Sequence, residues 1–140
     1  GPASRALPTL PRPVALAVWL AAARLYGSVG WRVDTGGMAV VFSGDTRFNP
    51  ELVKAAEGAR LLIHEAYRTD EEREFANDQG HSTGGDAGRA AAQAGVAQLV
   101  LTHLDSEFDA DPQPLLDDAK KHYQGPISAA ADLDQITVSS

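Results

Sequence analysis

Short apolar runs alternate with segments that carry helix signals along most of the chain. Runs typical of strands lie at residues 30–34, 38–42, 61–63, 99–102, 127–131 and 135–138. Between them, capping and charge patterns predict helices at residues 50–57, 70–77, 84–94 and 112–124. Because strands and helices alternate, the pattern predicts an α/β fold built on a mixed β-sheet.

Glycine and proline mark the boundaries of the first of these elements. Gly36 and Gly37 separate two strand-like runs, which predicts a β-hairpin. Asn49 is a predicted N-cap, and Pro50 suits the first position of the helix that follows it. The apolar run at residues 38–42 is therefore predicted to be a buried strand, followed by a tight turn before Asn49.

A second helix start combines a cap with two glycines. Thr83 and Asp86 have the spacing of a capping box, with aspartate in place of the usual glutamate. Gly84 and Gly85 lie in the first turn of the predicted helix. They leave backbone N–H groups accessible for an anion, or they allow close packing of a neighbouring element. The two interpretations remain open at this point.

The N-terminal segment is the most apolar part of the chain. Residues 14–26 are rich in alanine and leucine and are interrupted only by Arg24, which predicts a helix that is apolar on all sides. Such a helix must be buried in the core or against another chain. It is shorter than the roughly 20 residues that span a bilayer. Signal-peptide features are absent too, so we expect no membrane association and a cytoplasmic location.

Composition restricts the chemistry further. A chain of 140 residues with 44% apolar residues suits one domain. The net charge of −7 makes nucleic acid an unlikely partner, because phosphate-backbone binding needs clustered lysine and arginine. The chain contains no cysteine, so any metal must be bound by histidine, carboxylate or water.

Polar residues follow the predicted strands where ligands commonly bind in α/β sheets. Asp45, Glu65 and His103 each come at or just after the end of a strand, and His81 precedes a helix. A turn or helix-capping role is the commoner explanation of a lone residue such as Asp45. The recurrence of histidine or carboxylate at successive strand ends favours a shared site.

Four ordered motifs resemble those of the metallo-β-lactamase superfamily, and most closely its ribonuclease Z-like branch. They are Gly44-Asp45-Thr46, Ile63-His64-Glu65-Ala66, Gly80-His81-Ser82-Thr83 and Leu101-Thr102-His103. The resemblance implies half of an αββα sandwich with a di-metal site, usually of zinc. It covers the C-terminal half only, because no two of the four histidines are close enough to form the family's His-x-His-x-Asp-His motif. We therefore divide the chain into residues 1–28, comprising a tag scar, a proline-rich lead-in and a non-family helix, and a half domain at residues 29–140.

The resemblance also implies roles for individual residues. Asp45 would bridge the metal ions and His103 would be the last ligand of the second ion. His81, oriented by Glu65, would face the scissile phosphate as a proton donor or charge stabiliser, or be used as a further ligand. His64 points to the opposite face if the strand continues to it, and is a further metal ligand if the strand ends before it.

The resemblance implies a metal-dependent hydrolase of small phosphoesters, either diesters or triesters, that acts through metal-activated water. One or two ions of zinc are expected, with manganese or iron as alternatives. The other function class is a non-catalytic truncated fragment, or an oligomeric structural module of the same fold. A sheet face left uncovered by the half-length fold predicts a homodimer.

Overall fold

A single six-stranded mixed sheet organises the molecule. The computed structural model describes residues 14–23 and 26–138; the predicted tag scar and proline-rich lead-in lie outside them. The strands are β1 (Val14–Ala23), β2 (Tyr26–Thr35), β3 (Met38–Phe42), β4 (Leu61–Glu65), β5 (Leu99–Thr102) and β6 (Ile127–Ala129). They follow one another across the sheet in chain order. β1, β2 and β3 pair antiparallel, whereas β3 to β6 pair parallel, so the carboxyl ends of four strands meet at one edge.

Helices connect the parallel strands and cover one face of the sheet. They are α1 (Pro50–Ala56), α2 (Arg73–Asp78), α3 (Gly84–Ala94) and α4 (Gln113–Lys120), with single 3₁₀ turns at Asp70–Glu72 and Ser106–Phe108. Val41, Leu62 and Leu101 point from successive strands into the buried core that these helices share. The alternation of strands and helices is confirmed. Within the described residues, no helix combines the length and apolarity that crossing a bilayer requires.

The predicted hairpin and helix caps are present. Thr35 of β2 pairs with Met38 of β3 across the two-residue turn of Gly36 and Gly37, which both have positive φ, at +58° and +79°. Positive φ at both central positions is the backbone of a type I′ hairpin turn, which glycine adopts without strain. The Asn49 side chain accepts a hydrogen bond from the N–H of Glu51 and caps α1 as predicted.

The prediction of an N-terminal helix at residues 14–26 is wrong. Residues 14–23 form β1, which pairs antiparallel with β2, and β2 runs without interruption across residue 28. The period of the pattern explains the error: Val14, Leu16 and Val18 alternate with Ala15 and Ala17, which is a strand period of two rather than a helix period of 3.6. The high alanine content hid this alternation.

The last predicted strand, at residues 135–138, is also absent. β6 is shorter than expected, and after it the Asp134 carboxylate accepts a hydrogen bond from the Ala131 N–H, which turns the chain away from the sheet. No described strand pairs with the free side of β6. An apolar pattern without a neighbouring strand does not suffice for sheet formation.

The sheet face opposite the helices carries an apolar row that is exposed at its β2 and β3 positions and buried at its β5 position. Trp31, Phe42, Ile63 and Val100 lie in register on β2 to β5, and therefore on one face. Trp31 and Phe42 remain 46% and 39% exposed. This face is the surface on which a homodimer was predicted, and that assembly stays a prediction.

Candidate metal centre

Three of the candidate residues converge at the carboxyl edge of the parallel strands. Asp45 follows β3, His103 follows β5, and His81 lies in the segment before α3. One ligand atom from each lies within 4.8 Å of the others, and His103 Nε2 is 3.9 Å from Asp45 Oδ1. Asp45 and His103 are exposed and His81 is partly buried, so the group opens to solvent. The structure thus brings together residues that are far apart in sequence.

Unusual backbone conformations place two of these residues. Gly44 has φ of +62°, and a Cβ at this position would lie 2.6 Å from the carbonyl oxygen of Val29 on β2. Glycine is therefore required for the turn that presents Asp45. His103 itself has φ of +53°, in the left-handed region that side chains other than glycine rarely adopt. Such conformations are concentrated at functional sites.

Glu65 is buried behind His81 and holds its ring. Its carboxyl group lies 3.0 Å from His81 Nδ1 and accepts a short hydrogen bond from the N–H of Thr46. The pKa of Glu65 is raised to about 9, mainly by burial and also by the charge of Asp45, although hydrogen bonds from the N–H groups of Thr46 and Ser82 oppose the shift. The chain therefore buries a carboxyl group that an added cation would favour in its ionised form.

The pKa of His81 moves in the opposite direction. Burial lowers it below the usual value, the nearby His103 lowers it further, and Asp45 opposes the change. His81 is consequently a neutral imidazole near pH 7. When Glu65 is ionised it accepts a hydrogen bond from the His81 Nδ1–H, and the lone pair of Nε2 is then free on the side of Asp45 and His103.

His64 lies outside this group. It is fully buried on the helix-covered side of β4, and its Nδ1 is 2.8 Å from the carbonyl oxygen of Glu65. Burial lowers its pKa. Because β4 continues through Glu65, the strand alternation directs His64 away from the site, as expected for a structural residue. The geometry does not support its use as a metal ligand.

The start of α3 is a packing contact rather than a free anion seat. The predicted capping box of Thr83 and Asp86 is present. The Gly85 N–H donates to the Asp118 carboxylate at 2.6 Å, and a Cβ on Gly84 would lie 2.5 Å from the carbonyl oxygen of Leu115. α4 therefore fills the space in front of the helix, and Gly84 permits its close approach. A Cβ on Gly85 would instead meet the Asp70 carboxylate.

Tyr67, which sequence reasoning did not single out, lies beside the two histidines. Its ring centroid is 4.8 Å from that of His81 and 6.2 Å from that of His103. Asp105, two residues after His103, pairs with Arg68 at 2.7 Å. The one sequence signal for Tyr67 is its position two residues after Glu65, where the chain leaves β4.

A cleft of about 400 Å³ opens beside this group. It is lined by Phe42, Ser43, Gly44, Asp45, Ile63, Glu65, Thr102 and His103. Its apolar floor and few polar groups resemble those of small-molecule sites. One carboxylate and two imidazoles form a donor set that suits zinc, manganese or iron. The 3.9 Å between the His103 and Asp45 donor atoms is compatible with one shared ion, since each ligand atom lies about 2.0–2.2 Å from zinc.

Comparison with known sequences identifies a matching family and similar proteins. A family model described as a beta-lactamase superfamily domain matches residues 12–104. Ribonuclease Z of Myxococcus xanthus is 51% identical over 96 residues, which are 69% of this chain and 31% of that protein. Ribonuclease Z of Haloferax volcanii is 42% identical over 102 residues, 73% of this chain and 32% of that protein. The chain thus spans about a third of the length of the curated relatives it matches.

Solved structures show the same fold. The short form of human tRNase Z has a TM-score of 0.70 and 26% identity, and the match covers 91% of this chain and 44% of that one. The metallo-beta-lactamase fold protein YhfI of Bacillus subtilis gives a TM-score of 0.76 at 24% identity, covering 84% and 46%. Zinc-bound PqqB of Methylobacterium extorquens shares the fold at a TM-score of 0.57 and 13% identity, covering 91% and 51%.

Both kinds of comparison bear on the sequence predictions. The mixed α/β sheet with helices matches part of the metallo-β-lactamase fold, as predicted. The family match begins at residue 12, so the view that nothing before residue 29 has a family counterpart is wrong for residues 12–28. The order of the four motifs and these matches lead to one conclusion: the chain belongs to the metallo-β-lactamase superfamily.

Proposed function

We propose that this chain carries part of the active site of a metal-dependent phosphodiesterase. The observation that supports this proposal is the convergence of Asp45, His81 and His103, with donor atoms within 4.8 Å of one another in an open cleft. Three protein ligands with an open position are typical of catalytic rather than structural zinc sites. The exposure of the group fits a site that admits substrate and water.

Zinc is the metal we propose, with manganese or iron as alternatives, in one or two ions. A bound ion would lower the pKa of a water molecule to about 7 and polarise the scissile centre. Asp45 and His103, the two exposed members, would hold it. Gly44 and the left-handed backbone of His103 present these two side chains towards each other.

His81 would act with Glu65 as the third functional unit. Glu65 fixes the ring through Nδ1, so Nε2 is the atom that faces the other two ligands. From this position Nε2 serves either as a third metal ligand or as the donor of a hydrogen bond to a phosphate oxygen or leaving group. The His81→Ala variant separates the two roles: loss of metal assigns His81 to the ligands, whereas retained metal with slower turnover assigns it to proton transfer.

The substrate class follows from the relatives. Those named ribonuclease Z act, by that name, on RNA, in which the scissile bond is a phosphodiester. The net charge of −7 argues against tight binding of a nucleic-acid backbone by this chain alone. We therefore propose a phosphodiester as the reacting group, with small diesters as the substrates.

Completion of the site by a second chain is the remaining part of the proposal. Phe42 and Ile63, the two middle members of the apolar row, also line the cleft, so a partner seated on the row would lie over the metal centre. We retain the homodimer as the proposed assembly. Size-exclusion chromatography with light scattering should give twice the monomer mass of 14.8 kDa. Trp31→Glu should shift the mass to that of the monomer; a wild-type chain that is monomeric at micromolar concentration contradicts the assembly.

Metal titration tests the proposed function. We expect the purified, chelator-treated chain to bind zinc or manganese and to hydrolyse bis(p-nitrophenyl) phosphate faster with metal than without. Asp45→Asn and His103→Asn should each weaken metal binding by more than about 100-fold, because loss of an outer partner already costs about 10- to 100-fold. Asp109→Asn and His122→Asn are matched controls, since both residues lie outside the cluster.

Two outcomes would contradict this function. Full metal occupancy in both ligand variants would move the site elsewhere. Absence of metal binding by the wild-type chain, with no thermal shift on adding metal and no diester hydrolysis, would favour the other function class, a non-catalytic structural module of the superfamily. An RNA oligonucleotide added in parallel distinguishes a general diesterase from one that requires the relatives' substrate.

A further inference from the structure

We propose that Tyr67 is a positioning residue that holds the imidazoles of His81 and His103 in the arrangement needed to bind metal. The benefit of this role, tighter metal binding, rests on the proposed function. The ring contacts that define the role are present in the chain without any metal. No other described side chain makes ring contacts with both histidines.

The backbone of Tyr67 links the two segments that carry these histidines. Its N–H donates to the carbonyl oxygen of Ser82 at 2.9 Å, next to His81. Its carbonyl oxygen accepts from the N–H of Asp105 at 3.2 Å, two residues after His103. One residue therefore ties the segment before α3 to the segment after β5, and the distance between the histidine backbones depends on it.

The side chain of Tyr67 also links the two histidines, through contacts between the rings. The three ring centroids form a triangle: 4.8 Å between Tyr67 and His81, 6.2 Å between Tyr67 and His103, and 5.1 Å between the histidines. All three pairs are tilted by about 30° from parallel, within the range of favourable aromatic contacts. Each imidazole therefore contacts the Tyr67 ring and also lies close to the other imidazole.

A cation fixes the tyrosine ring from another direction. The guanidinium of Arg68 lies over the Tyr67 ring at 5.3 Å from its centroid, a cation–π distance. Arg68 is itself held by Asp105 at 2.7 Å and by Glu72 at 3.0 Å. The tyrosine ring cannot swing away from the histidines without disturbing this ion-pair group.

The chemical consequence is preorganisation. His103 is exposed, and an exposed imidazole loses rotamer freedom when it binds metal. A ring that restricts it beforehand reduces that loss and strengthens metal binding. Partners that orient ligands in this way typically change metal affinity by about 10- to 100-fold when removed. The ring, rather than the hydroxyl, makes the contacts with the histidines, so phenylalanine should substitute for tyrosine.

The first experiment compares the zinc affinity of the wild-type chain with that of three variants. Tyr67→Leu should weaken binding by about 10- to 100-fold, whereas Tyr67→Phe should bind within a few-fold of wild type. Phe75→Ala is the matched control, because the Phe75 ring contacts the same Arg68 guanidinium at 5.2 Å but makes no ring contact with either histidine. Urea unfolding of each variant confirms that the chain is folded at the titration conditions.

The second experiment needs no metal. Ring ¹³C–¹H order parameters of His81 and His103 in the metal-free chain should fall in Tyr67→Leu and remain at wild-type values in Tyr67→Phe and Phe75→Ala. Unchanged order parameters in folded Tyr67→Leu, or zinc affinity equal to wild type, overturns the positioning role. A wild-type chain that binds no zinc refutes the proposed function, and the order parameters then still decide whether Tyr67 positions the rings.

Discussion

Two groups of charged side chains flank the start of α3. They differ in the partner of the buried carboxyl group, which is arginine in one group and histidine in the other. Behind the helix, Arg89 bonds the carboxylates of Asp70 and Asp86 at 2.8 Å each, and Arg73 bonds Asp86 at 2.9 Å. In front of it, the buried Glu65 faces the imidazole of His81. The first group is an arginine network; the second is the candidate metal centre.

The pKa values of the buried carboxyl groups of Asp86 and Glu65 shift in opposite directions. Burial alone would raise the pKa of Asp86, but hydrogen bonds from Arg89, Thr83 and Asn77 bring it below the usual value. For Glu65, burial raises the pKa to about 9 and backbone donors do not reverse the shift. Where the chain supplies its own cation, the carboxylate is ionised and structural. Where it supplies a neutral imidazole, the carboxyl group keeps an affinity for an external cation.

The largest expected effect is a fall in stability of the metal-free chain at high pH. Above pH 4.5 the unfolded chain releases the Glu65 proton, whereas the folded chain keeps it up to about 9. The free energy of unfolding should therefore be highest below pH 4.5 and decrease as the pH rises through 9, with a slope approaching about 1.4 kcal/mol per pH unit. Urea unfolding across this range, with chelator present, measures the slope.

Glu65→Gln should remove this slope, since glutamine does not titrate. Glu51→Gln, at an exposed position, should retain the wild-type profile. Zinc should flatten the wild-type profile as well, because a cation stabilises the ionised form of Glu65. If the wild-type and Glu65→Gln chains have parallel profiles, the carboxyl group does not carry the proton that its burial indicates.

The second effect concerns the arginine network. Arg89→Met leaves Asp86, which is buried, and Asp70 without their shared cation. Removing one partner of such a group costs about 3–5 kcal/mol, and we expect the lower end because Arg73 also contacts Asp86. Equilibrium unfolding measures the loss. Lys54→Met, on an exposed pair, should change stability by less than about 0.5 kcal/mol.

Metal affinity separates the two groups. Arg89→Met should bind zinc as the wild-type chain does, because Arg89 contacts none of the three candidate ligands in the described hydrogen bonds and ion pairs. A variant that loses both stability and zinc binding while still folded would mean that the network also positions the site, and the comparison would no longer hold.

Local patterns predicted most of the parallel sheet, and the errors lie where the presence or absence of a pairing strand decides the structure. β3, β4 and β5 are short apolar runs that end at turn or polar residues, a signal contained within each run. β1 was misassigned because its strand nature depends on β2, to which it pairs from Val14 with Asp34 to Ala23 with Tyr26. Residues 135–138 show the reverse case, an apolar pattern that no neighbouring strand completes.

The part of the candidate site that could be predicted consists of residues contained in the ordered motifs. The resemblance named Asp45, His81 and His103, which the structure brings together. His64 was named as a further ligand, and the strand alternation of β4 places it on the opposite face. Tyr67 could not be found in this way. Its contacts with both histidines depend on how the chain leaves β4 and passes between two other segments, and no period or motif in the sequence encodes that path.

The smallest expected effect tests whether charge or hydrogen-bond geometry gives the arginine network its strength. Lys121 Nζ lies 3.6 Å from Asp118 Oδ1, but its side chain is 68% exposed. The Asp118 carboxylate is held instead by the N–H groups of Asp70 and Gly85, at 3.0 and 2.6 Å. Lys121→Met should therefore cost less than about 1 kcal/mol in urea unfolding, as for other exposed pairs, and the difference from wild type should disappear in high salt. A loss as large as that of Arg89→Met would show that positive charge near α4 stabilises this region, and that the forked hydrogen bonds of Arg89 are not what distinguishes the network from the metal centre.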